Sequence, residues 1–158
     1  MTTPPISEDF RDLLVELLNA GVRFLLVGAH AMAVHGVPRA TGDIDIWIAE
    51  DETNAKRTFQ ALERFGAPLA AHGITANDFT ALGMVYQIGL PPRRIDLMTS
   101  IDGVEFAEAW PERMITTIDG IKVPVIGRKH LMQNKRSTGR EKDRLDLETL
   151  ERGDIDRD

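Results

Sequence analysis

Two short runs set the fold class of this 158-residue chain: an apolar stretch at residues 22–27 and a strictly alternating one at residues 43–48. The first has the character of a strand covered on both faces. In the second, Asp43, Asp45 and Trp47 share one face and Ile44, Ile46 and Ile48 the other, because side chains alternate along a strand. Gly28 breaks the first run, a short helix is expected over 29–35, and Gly36-Val37-Pro38 ends it. A strand, a glycine, a short helix and a second strand in succession commit the chain to a mixed α/β (α+β) fold: a central mixed sheet flanked by helices, with further helices at the C-terminus.

The remaining segments fit that frame. A helix starts at an N-cap Ser7, carries Glu8 and Asp9 at its positive end and stops at Gly21; Phe10, Leu13, Leu14, Leu17 and Leu18 form its buried face. An amphipathic helix is predicted over 52–65, ending at Gly66, and a short one over 77–82. Residues 84–90 and 93–99 read as a hairpin around Pro91-Pro92, and 104–110 as a helix. Strands 114–118 and 121–126 flank Asp119-Gly120, which suits a type I′ turn. Two helices follow, 128–136 and 140–150, with Thr138 and Glu141 in the relation of a capping box. Residues 1–150 are expected to form one domain, and 151–158 an acidic, disordered tail.

Composition narrows the class. With 42% hydrophobic and 28% charged residues the chain matches soluble globular domains. At this length it can bury roughly two-thirds of its unfolded surface without a disulfide or structural metal. There is no cysteine, which excludes a disulfide framework, cysteine-ligated metals and a cysteine nucleophile. The first seven residues lack a signal-peptide pattern, and the apolar stretch 22–34 is too short to span a bilayer and is interrupted by Arg23, Gly28 and His30. A cytoplasmic location and no membrane partner are expected. The net charge of −6 argues against a general nucleic-acid coat but leaves a local basic patch open.

Asp43 and Asp45 are the first chemical feature. Two carboxylates on one strand face repel, so they are favourable mainly with a cation or strong donors between them. Hard cations such as Mg²⁺ are held by one or two carboxylates plus substrate phosphates. So short a motif reads as two solvated acids until its context is considered. A helix starting just after Gly28 presents backbone N–H groups to an anion. A third carboxylate, Asp96, stands between Ile95 and Leu97 on a later strand; if that strand neighbours the first, three carboxylates converge, as in-line phosphoryl transfer with two metals requires. Zinc is not expected: His30 and His35 are five apart, and His72 and His130 have no partner visible in sequence.

Four blocks carry a resemblance: Gly28-Ala29-His30-Ala31; His35-Gly36 through Arg39, Thr41, Asp43 and Asp45; Arg94-Ile95-Asp96-Leu97; and Asn134-Lys135 through Gly139-Arg140, Lys142-Asp143 and Asp146. In this order they resemble the DNA polymerase β-like nucleotidyltransferase superfamily, and more specifically the small nucleotidyltransferases related to AbiE-type toxin–antitoxin toxins. Ala29 departs from the second Gly or Ser of that pattern.

The resemblance implies that Asp43, Asp45 and Asp96 are the catalytic residues and hold Mg²⁺ or Mn²⁺, with Asp96 assisting deprotonation of the acceptor hydroxyl. It implies that Gly28 and Ala29 line the NTP phosphates through backbone N–H groups, and that Lys142 contacts phosphate, positioned by Asp146, with Lys135 a second candidate. Arg39 and Thr41 are candidate phosphate contacts on their own chemistry, Arg39 being equally suited to a salt bridge with Asp43 or Asp45. Arg94 shares the face of Asp96 and suits either phosphate or the tempering of carboxylate repulsion; Arg93 points to the surface. Trp47 is expected in the core and His35 in a structural position.

From residue 128 to 144 seven Lys/Arg face two acids, a local charge of +5, which suits a polyanion. The reading is an Mg²⁺-dependent transfer of a nucleoside monophosphate from an NTP to a hydroxyl, with pyrophosphate released. The acceptor is open between a tRNA 3′ end, a protein hydroxyl and a small molecule. A homodimer or a partner chain, such as a cognate antitoxin, would supply contacts that one small domain lacks. The alternatives are a non-catalytic nucleotide- or protein-binding member of the fold, and a metal-dependent phosphodiesterase.

Overall fold

The computed structural model describes residues 2–3, 6–37 and 42–157. Its elements run β1 (Thr2–Thr3), α1 (Glu8–Asn19), β2 (Phe24–Val27), α2 (Gly28–Val34), β3 (Ile44–Ile48), α3 (Glu52–Phe65), β4 (Val85–Ile88), β5 (Ile95–Met98), α4 (Phe106–Ala109), β6 (Met114–Ile118), β7 (Ile121–Val125), α5 (Arg128–Thr138) and α6 (Glu141–Arg157). Single 3₁₀ turns lie at Ala76–Thr80 and Trp110–Glu112.

The strands form one mixed sheet in the order β1-β6-β7-β2-β3-β5-β4. β2 lies at its centre, antiparallel to β3 and parallel to β7, and all four of its residues are buried, as its apolar run requires. β3 pairs with β5 in parallel, with Ile44 opposite Ile95, Asp45 opposite Asp96 and Trp47 opposite Met98. Ile44, Ile46 and Ile48 are fully buried and join Leu13, Leu14 and Leu17 of α1 and Ala61 and Leu62 of α3 in the core. The other face of β3 carries the polar residues, so the alternation of 43–48 separates core from site.

Local signals account for the element ends. Ser7 Oγ accepts from Phe10 N at 3.2 Å and caps α1. Asp51 caps α3 by accepting from Asn54 N, and Gly66 ends it in a left-handed conformation. Asp119 and Gly120 both have positive φ (51° and 82°), the signature of the type I′ turn between β6 and β7. Asn54, buried within α3, donates to the carbonyls of Ala49 and Arg23 and accepts from Arg23 N at 2.7 Å, tying the helix to the ends of β2 and β3.

Two expectations at the C-terminus are corrected. Thr138 does not form a capping box: it ends α5, and its hydroxyl donates to Asp143 Oδ2 at 2.6 Å, because Gly139 (φ +68°) turns the chain back sharply enough to bring α6 alongside α5. The last helix also does not stop at Leu150 but continues to Arg157, through residues expected to form a disordered tail. Buried Leu150 anchors that final stretch, and the Arg128 guanidinium donates to its carbonyl.

Candidate active site

The parallel register of β3 and β5 brings Asp45 beside Asp96, and Asp43 precedes Asp45 on the same face. Asp96 is nearly buried, with 10% of its side chain exposed, while Asp43 keeps 29%. Arg94 is the resident counter-charge. Its Nε donates to Asp96 Oδ1 at 2.8 Å and its Nη2 to Asp96 Oδ2 at 3.2 Å, and Nη2 lies 3.7 Å from Asp43 Oδ2. The backbone N–H of Arg94 donates to Asp43 Oδ1 at 2.9 Å, so this one residue fixes both outer acids. Of the two roles open to Arg94 in the sequence, it fills the tempering of carboxylate repulsion. The Asp96 carboxylate in turn raises the guanidinium pKa.

Asp45 receives the least of this relief. Burial first, then the charges of Asp96 and Asp43 and a hydrogen bond shared with Asp96, push its carboxyl up to about 6, with Arg94 acting weakly in the opposite sense. The side chain lies against the Gly28 turn at the start of α2. Gly28 has φ +68°, and a Cβ there would stand 2.1 Å from Asp45 Oδ2. Both the conformation and the space require glycine. Gly28→Ala is therefore expected to cost about 1–3 kcal/mol and to displace the Asp45 carboxylate. A melting temperature within 1 °C of wild type (about the experimental scatter for ΔΔG near zero) would contradict that.

His30 was not singled out as a site residue in the sequence. It hydrogen-bonds the backbone of Asp43, and burial lowers its pKa against that bond, so the neutral ring holds the entry of β3 in place. A lone histidine gives no sequence signal for this. His35 is structural, as expected, with Nε2 2.8 Å from the Ile126 carbonyl. Trp47 is buried at the expected core position. Arg93 is exposed. Arg39 and Thr41 lie outside the described residues.

The C-terminal candidates divide. Lys135 is buried, and its Nζ meets Asp143 Oδ1 at 3.0 Å and Asp146 Oδ2 at 3.2 Å. Asp143 also accepts from Thr138 and, at 2.5 Å, from Arg140 Nε. Burial alone would raise the Asp143 pKa; these donors outweigh it and hold the carboxyl at about 2. The cluster clasps α5 to α6. Asp146 thus pairs with Lys135 across the two helices rather than with Lys142 along one, because its face of α6 turns inward while Lys142 is exposed. The basic segment is largely engaged within the fold: Lys129 pairs with Glu112 at 3.7 Å and Arg136 with Glu151 at 3.7 Å, besides Lys135 and Arg140.

Three carboxylates offer only hard oxygen donors, the set suited to Mg²⁺ or Mn²⁺. The raised Asp45 carboxyl marks a shortfall of positive charge at the same point. Among the described residues no group of three or more His, Asp or Glu side chains stands placed to hold a metal ion. Arg94 lies between Asp96 and Asp43, so a cation held by these acids would have to displace its guanidinium.

The family model of nucleotidyl transferases of unknown function (DUF2204) matches residues 6–157. No curated protein matches the sequence. Among solved structures, a provisionally assigned nucleotidyltransferase from Thermotoga maritima superposes with a TM-score of 0.58 at 17% identity, over 89% of this chain and 88% of that one. The lincosamide antibiotic adenylyltransferase LnuA, with lincomycin bound, gives 0.52 at 15% identity, over 94% and 98%. An antigenic nucleotidyltransferase-like protein from Paracoccidioides brasiliensis gives 0.50 at 15% identity, over 93% and 78%. At these identities the likeness is one of fold. Among the described residues no helix is long and apolar enough to cross a membrane.

Proposed function

Because the chain belongs to this nucleotidyl transferase family, we propose that it moves a nucleoside monophosphate from an NTP to a hydroxyl acceptor, with Asp43, Asp45 and Asp96 as its acidic centre. The observation that carries this reading is the β3–β5 register, which sets Asp45 opposite Asp96 on the face that Asp43 shares. In the reaction the acceptor oxygen bonds to the α-phosphorus, the bond from that phosphorus to the bridging oxygen breaks, and pyrophosphate leaves. The hydroxyl proton passes to a carboxylate of the centre, Asp96 by the resemblance.

Mg²⁺ or Mn²⁺ held by the three carboxylates would neutralise the charge that builds on the triphosphate. Arg94 is the group that holds the acids together before substrate arrives. Gly28 and Ala29 are read as backbone donors to phosphate, with Arg39 and Thr41 in the segment leading to Asp43. Lys142, exposed on α6, is the phosphate contact from the C-terminal region, and Lys135 and Asp146 support it by clasping its helix. Use of an NTP suits a cytoplasmic setting. The adenylyltransferase activity of LnuA favours ATP as the first donor to try and a small molecule as one acceptor class. The resemblance to AbiE-type toxins adds a tRNA 3′ end and a protein hydroxyl.

The test is incubation of the protein with each α-labelled NTP, Mg²⁺ and cell extract, beside Asp43→Ala/Asp45→Ala. Label is expected in an acceptor with wild type and not with the double variant. Transfer that survives the double substitution refutes the assigned centre. Nucleotide binding with no transfer to any acceptor favours a non-catalytic member of the fold, and release of free nucleotide alone favours hydrolysis.

A further inference from the structure

The acids of β3 and β5 are flanked unequally in the sheet order β2-β3-β5-β4. On the β2 side the chain closes against them: the Gly28 turn abuts Asp45, with no room for a Cβ at residue 28. On the other side lies β4, the edge strand, where Val85 and Gln87 are both exposed. A cavity rimmed by Glu50, Glu105 and Glu108 does open at the C-terminal ends of β3 and β5, but none of Asp43, Asp45, Asp96 and Arg94 lines it.

Register decides which part of β4 meets the acids. Val85 pairs with Met98 and Gln87 with Asp96. Cross-strand partners share a face, so Gln87 extends the row of Asp45 and Asp96 by one strand. Thr99 N donates to the Met84 carbonyl at 3.0 Å and Arg93 N to the Leu90 carbonyl at 2.9 Å, so the even-numbered residues of this strand are the ones hydrogen-bonded to β5. Gln87 and Asp96 therefore form the alternate, closer kind of pair, with Cβ atoms about 5 Å apart. Gly89, next on this face, has no side chain, and Tyr86 and Ile88 belong to the other face. Residues 81–92 contain no charged residue, and Gln87 is the one polar side chain that β4 presents to the acids. Its amide has no hydrogen-bond partner among the described residues.

From this we propose that the acceptor approaches over β4 and that Gln87 binds its hydroxyl. The proposal rests on the transferase reading and adds to it the side from which the acceptor comes. In-line displacement sets the attacking oxygen and the departing pyrophosphate on opposite sides of the α-phosphorus. With the phosphates at Gly28 and Ala29, beside β2, the attacking oxygen belongs on the β4 side, where Asp96 and Gln87 stand together. The two divide the hydroxyl between them. Its proton goes to Asp96, Gln87 Nε2 donates to one lone pair of the oxygen, and the other lone pair attacks phosphorus. A neutral donor suits this place: a lysine would pair with Asp96, and an acid would add a fourth negative charge.

The test separates the acceptor side from the donor side. Gln87→Leu and Gln87→Glu both lack the Nε2 donor, and Tyr86→Phe, on the opposite face of the same strand, is the control. Melting curves check that all three are folded. With α-labelled NTP, Mg²⁺ and limiting amounts of cell extract, the initial rate of labelling reads kcat/KM for the acceptor. It is expected to fall about tenfold or more in both Gln87 variants and to stay near wild type in Tyr86→Phe. Affinity for α,β-methylene-ATP with Mg²⁺, read by calorimetry, is expected to stay within about twofold in all of them. Labelling by Gln87→Leu or Gln87→Glu within about twofold of wild type overturns the proposal and leaves the transferase reading standing. A parallel loss of nucleotide affinity overturns it by moving Gln87 to the donor side, and an equal loss of labelling in Tyr86→Phe overturns it by making the effect one of strand structure. No labelling by wild type refutes the transferase reading and this proposal with it.

Discussion

Asp45→Asn is expected to lose at least about a thousandfold in transfer rate and yet to melt higher than wild type in chelator. The rate effect follows from removing charge stabilisation at the reacting phosphate, where single groups are worth roughly 10²–10³ and a central metal ligand more. The stability effect follows from the carboxyl at about 6. An acid whose folded pKa is raised binds protons more tightly folded than unfolded. Stability therefore falls as pH rises between about 4 and about 6, and at pH 7 the whole penalty is present. The shift corresponds to about 1–3 kcal/mol, which asparagine does not incur. Melting curves from pH 4 to 7 in EDTA, for both proteins, read it as a difference that opens with pH. Adding Mg²⁺ should then raise the wild-type midpoint and leave that of the variant unmoved. An Asp45→Asn protein that keeps more than about a tenth of wild-type transfer, against the 10²–10³ expected, removes Asp45 from the centre.

Lys135→Ala is expected to destabilise the fold by about 3–5 kcal/mol, the usual result of leaving a buried charge without its partner. Asp143 is fully buried and Asp146 nearly so, and Lys135 Nζ serves both. Thr138 and Arg140 remain on Asp143, which places the loss toward the lower end. With the Asp143 carboxyl held at about 2 in the folded chain, its contribution is complete above about pH 4 and disappears as pH falls through 2. The acid-unfolding midpoint should therefore rise in Lys135→Ala. Urea titration gives the free energy, and Lys135→Met/Asp143→Asn should cost less than the sum of the single changes, since the two act as one unit. A clasp leaves the KM for NTP within a few-fold at a temperature where both proteins are folded. A KM raised tenfold or more (about 1.4 kcal/mol) would instead make Lys135 a direct phosphate contact.

These two residues mark which side-chain placements are legible in a sequence and which are not. Asp45 was legible because strand alternation is local: residues two apart share a face whatever surrounds them. Lys135 was not, because its partners lie across a turn whose tightness depends on Gly139, and nothing in the spacing of Asp143 and Asp146 says which side of α6 is covered. The same limit explains the Thr138 hydroxyl and the run of α6 to Arg157. Asn54 and His30 give no pattern at all, since a single polar side chain announces its backbone partner only after the chain has folded.

By itself the sequence determined the mixed sheet, the glycine at the head of α2 and the acids of β3 through short-range rules of period and turn chemistry, and the likeness to nucleotidyltransferases through the resemblance of its motif blocks. Only the tertiary structure decided that β5 lies beside β3, that Asp45 therefore faces Asp96, that Arg94 tempers the repulsion of the acids rather than standing free for phosphate, and that a cavity rimmed by three glutamates opens beside Trp47. Each of those depends on strand order and register. Long-range pairing decides both, at separations over which the local pattern carries no information.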